Sequence, residues 1–192
     1  MDIIKKYDKR IALVFFLLTV AFIAVAITNT TFFNWAYERH QNQLSWFIRP
    51  VFLVPFCFFA YKHSWTGISL TLLCLFTSMF WFNKPVTVSE EVKAFLQFEK
   101  DWLTKEWGYK EWLLTLTIPV SFIALGLAFW KRSLFIGLGV VVLMAKGKIL
   151  WSIQNAGNAG KSILIPAIAG LLVCAGFINY GFRRLEKNGP GH

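Results

Sequence analysis

Two lysines interrupt an apolar run that is otherwise suited to crossing a membrane. The uncharged stretch before them, Ser133 to Ala145, covers only about 20 Å at the helical rise, short of a bilayer core of about 30 Å. An ammonium in hydrocarbon is costly unless it reaches water or an anion, so Lys146 and Lys148 belong in the outer third of a membrane. Residues two apart on a helix, at about 100° each, point in nearly opposite directions. Lys146 has Val142, Leu143, Ile149 and Leu150 three and four positions away, an apolar face from which its ammonium snorkels to headgroups. Lys148 is followed by Ser152 and Asn155, which extend a polar stripe, so it is expected to face the bundle. A cation held there takes either an anionic ligand, solute or lipid headgroup, or a loop carboxylate in a structural ion pair. Arg49 lies at similar depth in another apolar run. Lys148, Arg49, Ser152 and Asn155 are the candidate ligand-binding residues.

Other chemistry is weakly represented. His40 and His63 fall on opposite sides of the expected topology and His192 lies in the tail, so no histidine metal site is expected. His40 beside Glu38 reads as a solvated loop histidine. Cys57, Cys74 and Cys174 sit inside apolar runs without C-x-x-C spacing and read as packing residues. Gly157-Asn158-Ala159-Gly160-Lys161-Ser162 lacks the first glycine of a phosphate loop, with Asn155 in its place, and reads as a connecting turn. Asn29-Thr30-Thr31 is a nominal glycosylation triplet too close to a span to be a persuasive acceptor. No catalytic residue, metal ligand or cofactor is assigned, and the chain reads more readily as a non-enzyme. A lipid-directed enzyme using Glu99 and Asp101 lacks a nucleophile or an acid-base pair and ranks last.

The elements that position these residues are apolar throughout. Charged residues make up 16% of the chain, against about 25% in a globular domain, so most of the surface is expected to face lipid. The expected fold is an all-α polytopic integral membrane bundle, a single domain over 1–192. Its six spans are expected near 11–29, 44–61, 65–82, 112–130, 133–153 and 163–182, with an amphipathic helix at 89–107. Ser89 caps that helix, and Val92, Phe95, Leu96, Trp102 and Leu103 form its rough apolar face, interrupted by Glu99. With Trp102, Trp107 and Trp112 it is expected to lie at the membrane interface, a lid over the spans being the alternative. The first run follows Lys5, Lys6, Lys9 and Arg10 and is read as a retained helix, although Ala24-Val25-Ala26 leaves signal cleavage open. Gly67, Thr71, Cys74 and Ser78, with the weaker pair Gly170 and Cys174, are small-residue stripes read as packing surfaces. A pore lining remains the other use of such a stripe.

The net charge of +10 is dispersed over span ends, which argues against nucleic acid. Lys62 and Lys131-Arg132 sit in short turns and Arg183-Arg184-Lys187 at the chain's end. With the N-terminal basic cluster they satisfy the positive-inside rule if both termini are cytoplasmic. The loop 83–111 then lies outside. There Arg49, Arg39, Lys84, Lys148 and Lys161 would form a cationic vestibule. Two hairpins, joined at Lys62-His63-Ser64 and at Lys131-Arg132, would turn on the same side, which excludes an inverted repeat. The leading expectation is a small channel or transporter of the plasma (inner) membrane, drawing an anionic solute or lipid headgroup to that vestibule. The alternative is a non-catalytic accessory or assembly subunit that binds a membrane protein, a lipid or further copies of itself.

Overall fold

The computed structural model describes residues 2–187. Gly189, Pro190, Gly191 and His192 of the polar tail lie outside them. The described residues form helices and no strands, as apolar sequence without external backbone partners requires. In chain order the helices are α1 (Asp2–Thr28), α2 (Thr30–His40), α3 (Leu44–Val51), α4 (Leu53–Tyr61), α5 (Trp65–Thr77), α6 (Glu90–Thr104), α7 (Tyr109–Trp130), α8 (Leu134–Ala156) and α9 (Leu164–Lys187). Single 3-10 turns follow α5, at Ser78–Phe80, and precede α9, at Ala159–Ile163.

Five helical stretches are long and apolar enough to cross a membrane: Lys5–Thr28, Leu44–Tyr61, Tyr109–Trp130, Leu134–Ala156 and Ala159–Leu185. The stretch expected as a span at 65–82 is shorter, an apolar helix over Trp65–Phe80. It tightens at its end because the hydroxyls of Thr77 and Ser78 donate back to the carbonyls of Leu73 and Leu75, at 2.8 and 2.7 Å, in competition with the helical ladder. The second stretch is broken at Phe52, between α3 and α4. Pro55 has no N–H for the carbonyl of Val51 and its ring crowds that carbonyl.

The two hairpin turns are built alike and lie together at one end. In the first, the N–H of Ser64 reaches the carbonyl of Phe59 and that of His63 reaches Ala60, at 2.9 and 3.0 Å. In the second, Ser133 reaches Ala128 and Arg132 reaches Phe129, both at 2.9 Å. This is the paired 6→1 and 5→2 bonding that closes a helix, with His63 (φ 55°) and Arg132 (φ 57°) in the left-handed position usually given to glycine. The His63 ring stacks on Trp130 with centroids 4.4 Å apart, which joins the turns. Asp8 fastens α1 here. Its carboxylate accepts from the N–H groups of Trp65 and Thr66 at 2.9 and 3.0 Å and so caps α5 from a neighbouring helix.

Phe56, Cys57, Ala60, Leu125, Phe129, Val141, Cys174, Ile178 and Phe182 form the core that joins α4, α7, α8 and α9. Small residues let helices close on it. A Cβ at Gly170 would stand 2.6 Å from the Pro50 ring, so only glycine permits α9 to meet α3 there. The Cys174 thiol donates to the Pro50 carbonyl at 2.9 Å. Gly67 likewise faces the Phe59 ring across the α4–α5 hairpin.

The opposite end carries α2 and α6. The apolar face of α6, Val92, Phe95 and Leu96, is buried against Trp46, with Tyr37, Trp151 and Ile163 around it. The apolar face of α6 is thus covered by protein, and the helix packs over the bundle as the lid arrangement expects. Ser89 caps it as expected, accepting from the N–H of Val92 at 3.4 Å. Helix α2 is an addition to the expected elements. Asn29 begins α2 by accepting from the N–H of Phe32 at 2.9 Å, and Phe32 and Trp35 pack on Phe80.

Candidate functional site

Beneath α6 lies a cavity of about 320 Å³, with walls from α2, α3, α4, α5, α6, α7, α8 and α9. Its lining divides by chemistry. Arg49, Lys148, Glu99 and His40 supply charge and polarity, whereas Leu53, Leu75, Phe122, Val141, Met144 and Leu171 are apolar.

Lys148 and Glu99 form a direct ion pair across α8 and α6, with side chains 41% and 17% exposed. The ammonium also lies over the rings of Trp151 and Phe95, 4.8 and 5.3 Å from their centroids. The lid explains why a glutamate interrupts an otherwise apolar face: α6 carries the counter-charge to a lysine of the bundle.

Arg49 is partly buried, and none of the four ion pairs among the described residues includes it. Its Nη1 meets Nε2 of His40 at 3.3 Å. His40 Nδ1 lies 2.8 Å from the Ser45 hydroxyl, which itself donates to the carbonyl of Asn42 at 2.8 Å. The Ser45 proton being committed, its oxygen accepts from His40 Nδ1–H, which leaves Nε2 as the acceptor for Arg49. This network assigns a neutral His40. Burial first, then the cations Arg49 and Lys148, hold its pKa well below the ordinary histidine value. The solvated loop histidine of the sequence reading is thus corrected. His40 is 4% exposed, sealed in by Trp46, whose indole N–H donates to the His40 carbonyl at 3.0 Å. Nearby, Tyr37 is pushed up from its usual pKa by burial and then by Glu99, with Arg49 opposing.

The four candidate residues are not gathered in one place. Lys148 and Arg49 both line the cavity, and Ser152 and Asn155 do not. Ser152 is fully buried under the close approach of Gly160 to its backbone, with a hydroxyl that finds no partner. Asn155 turns back on its own helix, its side-chain amide donating to the carbonyl of Trp151 at 2.8 Å. Lys146 is exposed, as its apolar surroundings lead one to expect. Of the other cations expected in a vestibule, Arg39 donates to the Phe80 carbonyl and the Asn83 side chain, both at 2.8 Å, and Lys84 pairs with Glu38 at 3.2 Å. Both are spent on local bonds.

Sequence reasoning left Glu99 and His40 out of the site. A charge inside an amphipathic face was the available signal for Glu99; nothing in the local sequence marked His40 as buried. Among the described residues no three His, Cys, Asp or Glu side chains stand together as a metal site would need. No family model, curated protein or solved structure matches the chain.

Proposed function

We propose that the chain is a six-span integral membrane protein of the plasma (inner) membrane, with both termini cytoplasmic, that draws an anion into the cavity beneath α6 as a small transporter or channel does. One observation carries the reading. Arg49 presents a guanidinium to a cavity of ligand size without an ion pair of its own: its hydrogen-bond partner is the neutral His40, and the nearby Glu99, which acts on its charge, is already paired with Lys148, so the cation is costly in low dielectric unless a further anion joins it. Arg49, Lys148 and Glu99 together leave one positive charge uncompensated.

For the span count, α5 would cross as the sixth helix with its 3-10 extension, packed against α1 and α4 and not alone in lipid. For sidedness, the basic turns at Lys62 and Lys131-Arg132 share the end that carries the N-terminal basic cluster, which the positive-inside rule places in the cytoplasm. The capping of α5 by Asp8 favours retention of α1 as part of the bundle.

Reconstituted vesicles of neutral lipid, loaded to follow labelled phosphate and short-chain carboxylates, test the reading. Wild-type protein is expected to carry one of these anions, and Arg49→Gln to lower the flux at least tenfold with unchanged melting. Lys148→Met is expected to lower it as well, because it frees Glu99 to neutralise Arg49. Wild-type vesicles no leakier than protein-free ones would overturn the proposal.

A second reading, an accessory subunit, draws on α7. From Trp112 to Val120 this helix is exposed on nearly every side, Leu113, Leu116, Ile118 and Val120 being each at least half exposed. A stretch of helix exposed on nearly every side, ahead of the half that packs in the core, suits a partner membrane protein or a second copy of the chain.

A further inference from the structure

We infer that the anion taken by this site is an amphiphile, a single apolar chain that carries a carboxylate or phosphate head. The head would lie on Arg49 and the chain along Leu53, Phe122, Val141, Met144 and Leu171. This rests on the anion site proposed above and names its ligand class.

The charged groups occupy one part of the cavity only. Along α9 the lining runs from Pro166 to Cys174, a length of about 12 Å at the helical rise, and beyond Arg49 it offers almost no polar atom. The Cys174 thiol is not free to bind a hydrated ion, since it donates to the Pro50 carbonyl at 2.9 Å. A small hydrated anion would satisfy Arg49 and make no use of the apolar part of the lining. A chain attached to the anion fills that space, and each methylene removed from water adds about 0.8 kcal/mol, or about fourfold in affinity. The volume, about 320 Å³, lies at the low end of the roughly 300–1,000 Å³ of ligand sites and suits one chain better than the two of a phospholipid. Both head types share the chemistry that Arg49 recognises, a planar donor fork facing an oxyanion.

The test is calorimetric titration of the full chain in neutral-lipid nanodiscs with inorganic phosphate, an alkanoate series, an alkyl phosphate series and 1-decanol. The expected result is about fourfold tighter binding per added methylene, reaching a plateau when the cavity is full. Arg49→Gln is expected to weaken decanoate and decyl phosphate at least tenfold while changing 1-decanol less than twofold. Ala145→Phe and, independently, Ala167→Phe narrow the cavity wall and should bring the plateau to shorter chains. Tighter binding of the alkanoates identifies a fatty-acid type of ligand, and tighter binding of the alkyl phosphates a lysolipid type. Affinity that rises without plateau and ignores Arg49→Gln is partition into the disc and overturns the inference. Phosphate binding that depends on Arg49 but gains nothing from a chain overturns the amphiphile and leaves the anion site standing. No binding of any anion overturns both.

Discussion

At the hairpin end, Lys62 and Arg132 both lie over the Tyr61 ring, Lys62 also over Phe58, in exposed turns, while at the α6 end Lys148 lies over Phe95 and Trp151 with its ammonium on Glu99. The histidines divide in the same way. His63 is exposed and stacked on Trp130, with Nε2 donating to the Trp130 carbonyl at 3.0 Å, whereas His40 is sealed between Trp46, Ser45 and Arg49. The residue types match; their dielectric surroundings do not. Charge at the hairpin end is cheap, because water solvates it, and can serve topology without any partner. Charge at the α6 end is costly and has to be matched: Glu99 pairs with Lys148, and the proposed anion would do the same for Arg49.

That contrast breaks first if Glu99→Gln is harmless. Removing one member of a buried pair typically costs about 3–5 kcal/mol; with the Lys148 side chain 41% exposed, a cost of about 1–2 kcal/mol is expected in thermal unfolding. The same substitution should tighten anion binding, since it takes the one carboxylate out of the cavity lining. Equal stability and unchanged binding would mean that the pair is solvated like those at the other end.

The histidines give a second, pH-dependent separation. His40 has a folded pKa below its unfolded value, so nothing changes above pH 6.5, where both states are neutral. As the pH falls through 6.5, the unfolded chain takes up a proton that the folded chain refuses. Stability should then drop by about 1.4 kcal/mol per pH unit until the folded pKa is reached. Melting at pH 7.5, 6.5 and 5.5 should show this loss in the wild type and a shallower slope in His40→Gln. The groups that oppose protonation are Arg49 and Lys148. The smallest effect belongs to the hairpin end, where Arg132→Gln removes an exposed cation without an ion pair and should shift stability by less than about 0.5 kcal/mol. A large loss there would erase the distinction between the ends.

The long apolar helices were legible from run length, α6 from its amphipathic face and serine cap, and the turns at Lys62-His63 and Lys131-Arg132 from charge between two runs, because those signals are local; α2 carries none of them. The break at Phe52 was legible only as two prolines, and the early end of α5 follows from hydroxyls of Thr77 and Ser78 turning onto the backbone, a choice the sequence leaves open. Lys148 stood out because a charge in an apolar helix is anomalous wherever the chain goes. Its partner did not, since Glu99 reaches Lys148 only when the loop helix folds over the bundle, a contact across 49 residues. His40 was misplaced for a different reason: its partners are near in sequence, but the turn between α2 and α3 folds Trp46, Ser45 and Arg49 back around it. The polar stripe of Lys148, Ser152 and Asn155 follows helical spacing, yet the turn at Gly160 closes over Ser152, and the cavity stops short of it.

An experimental density map of the full chain in nanodiscs with decyl phosphate would test the central claim most directly. The account predicts non-protein density in the cavity beneath α6, its head within ion-pair distance of the Arg49 guanidinium and its chain running toward Phe122. An empty cavity, with the Glu99 carboxylate turned from Lys148 onto Arg49, would contradict it.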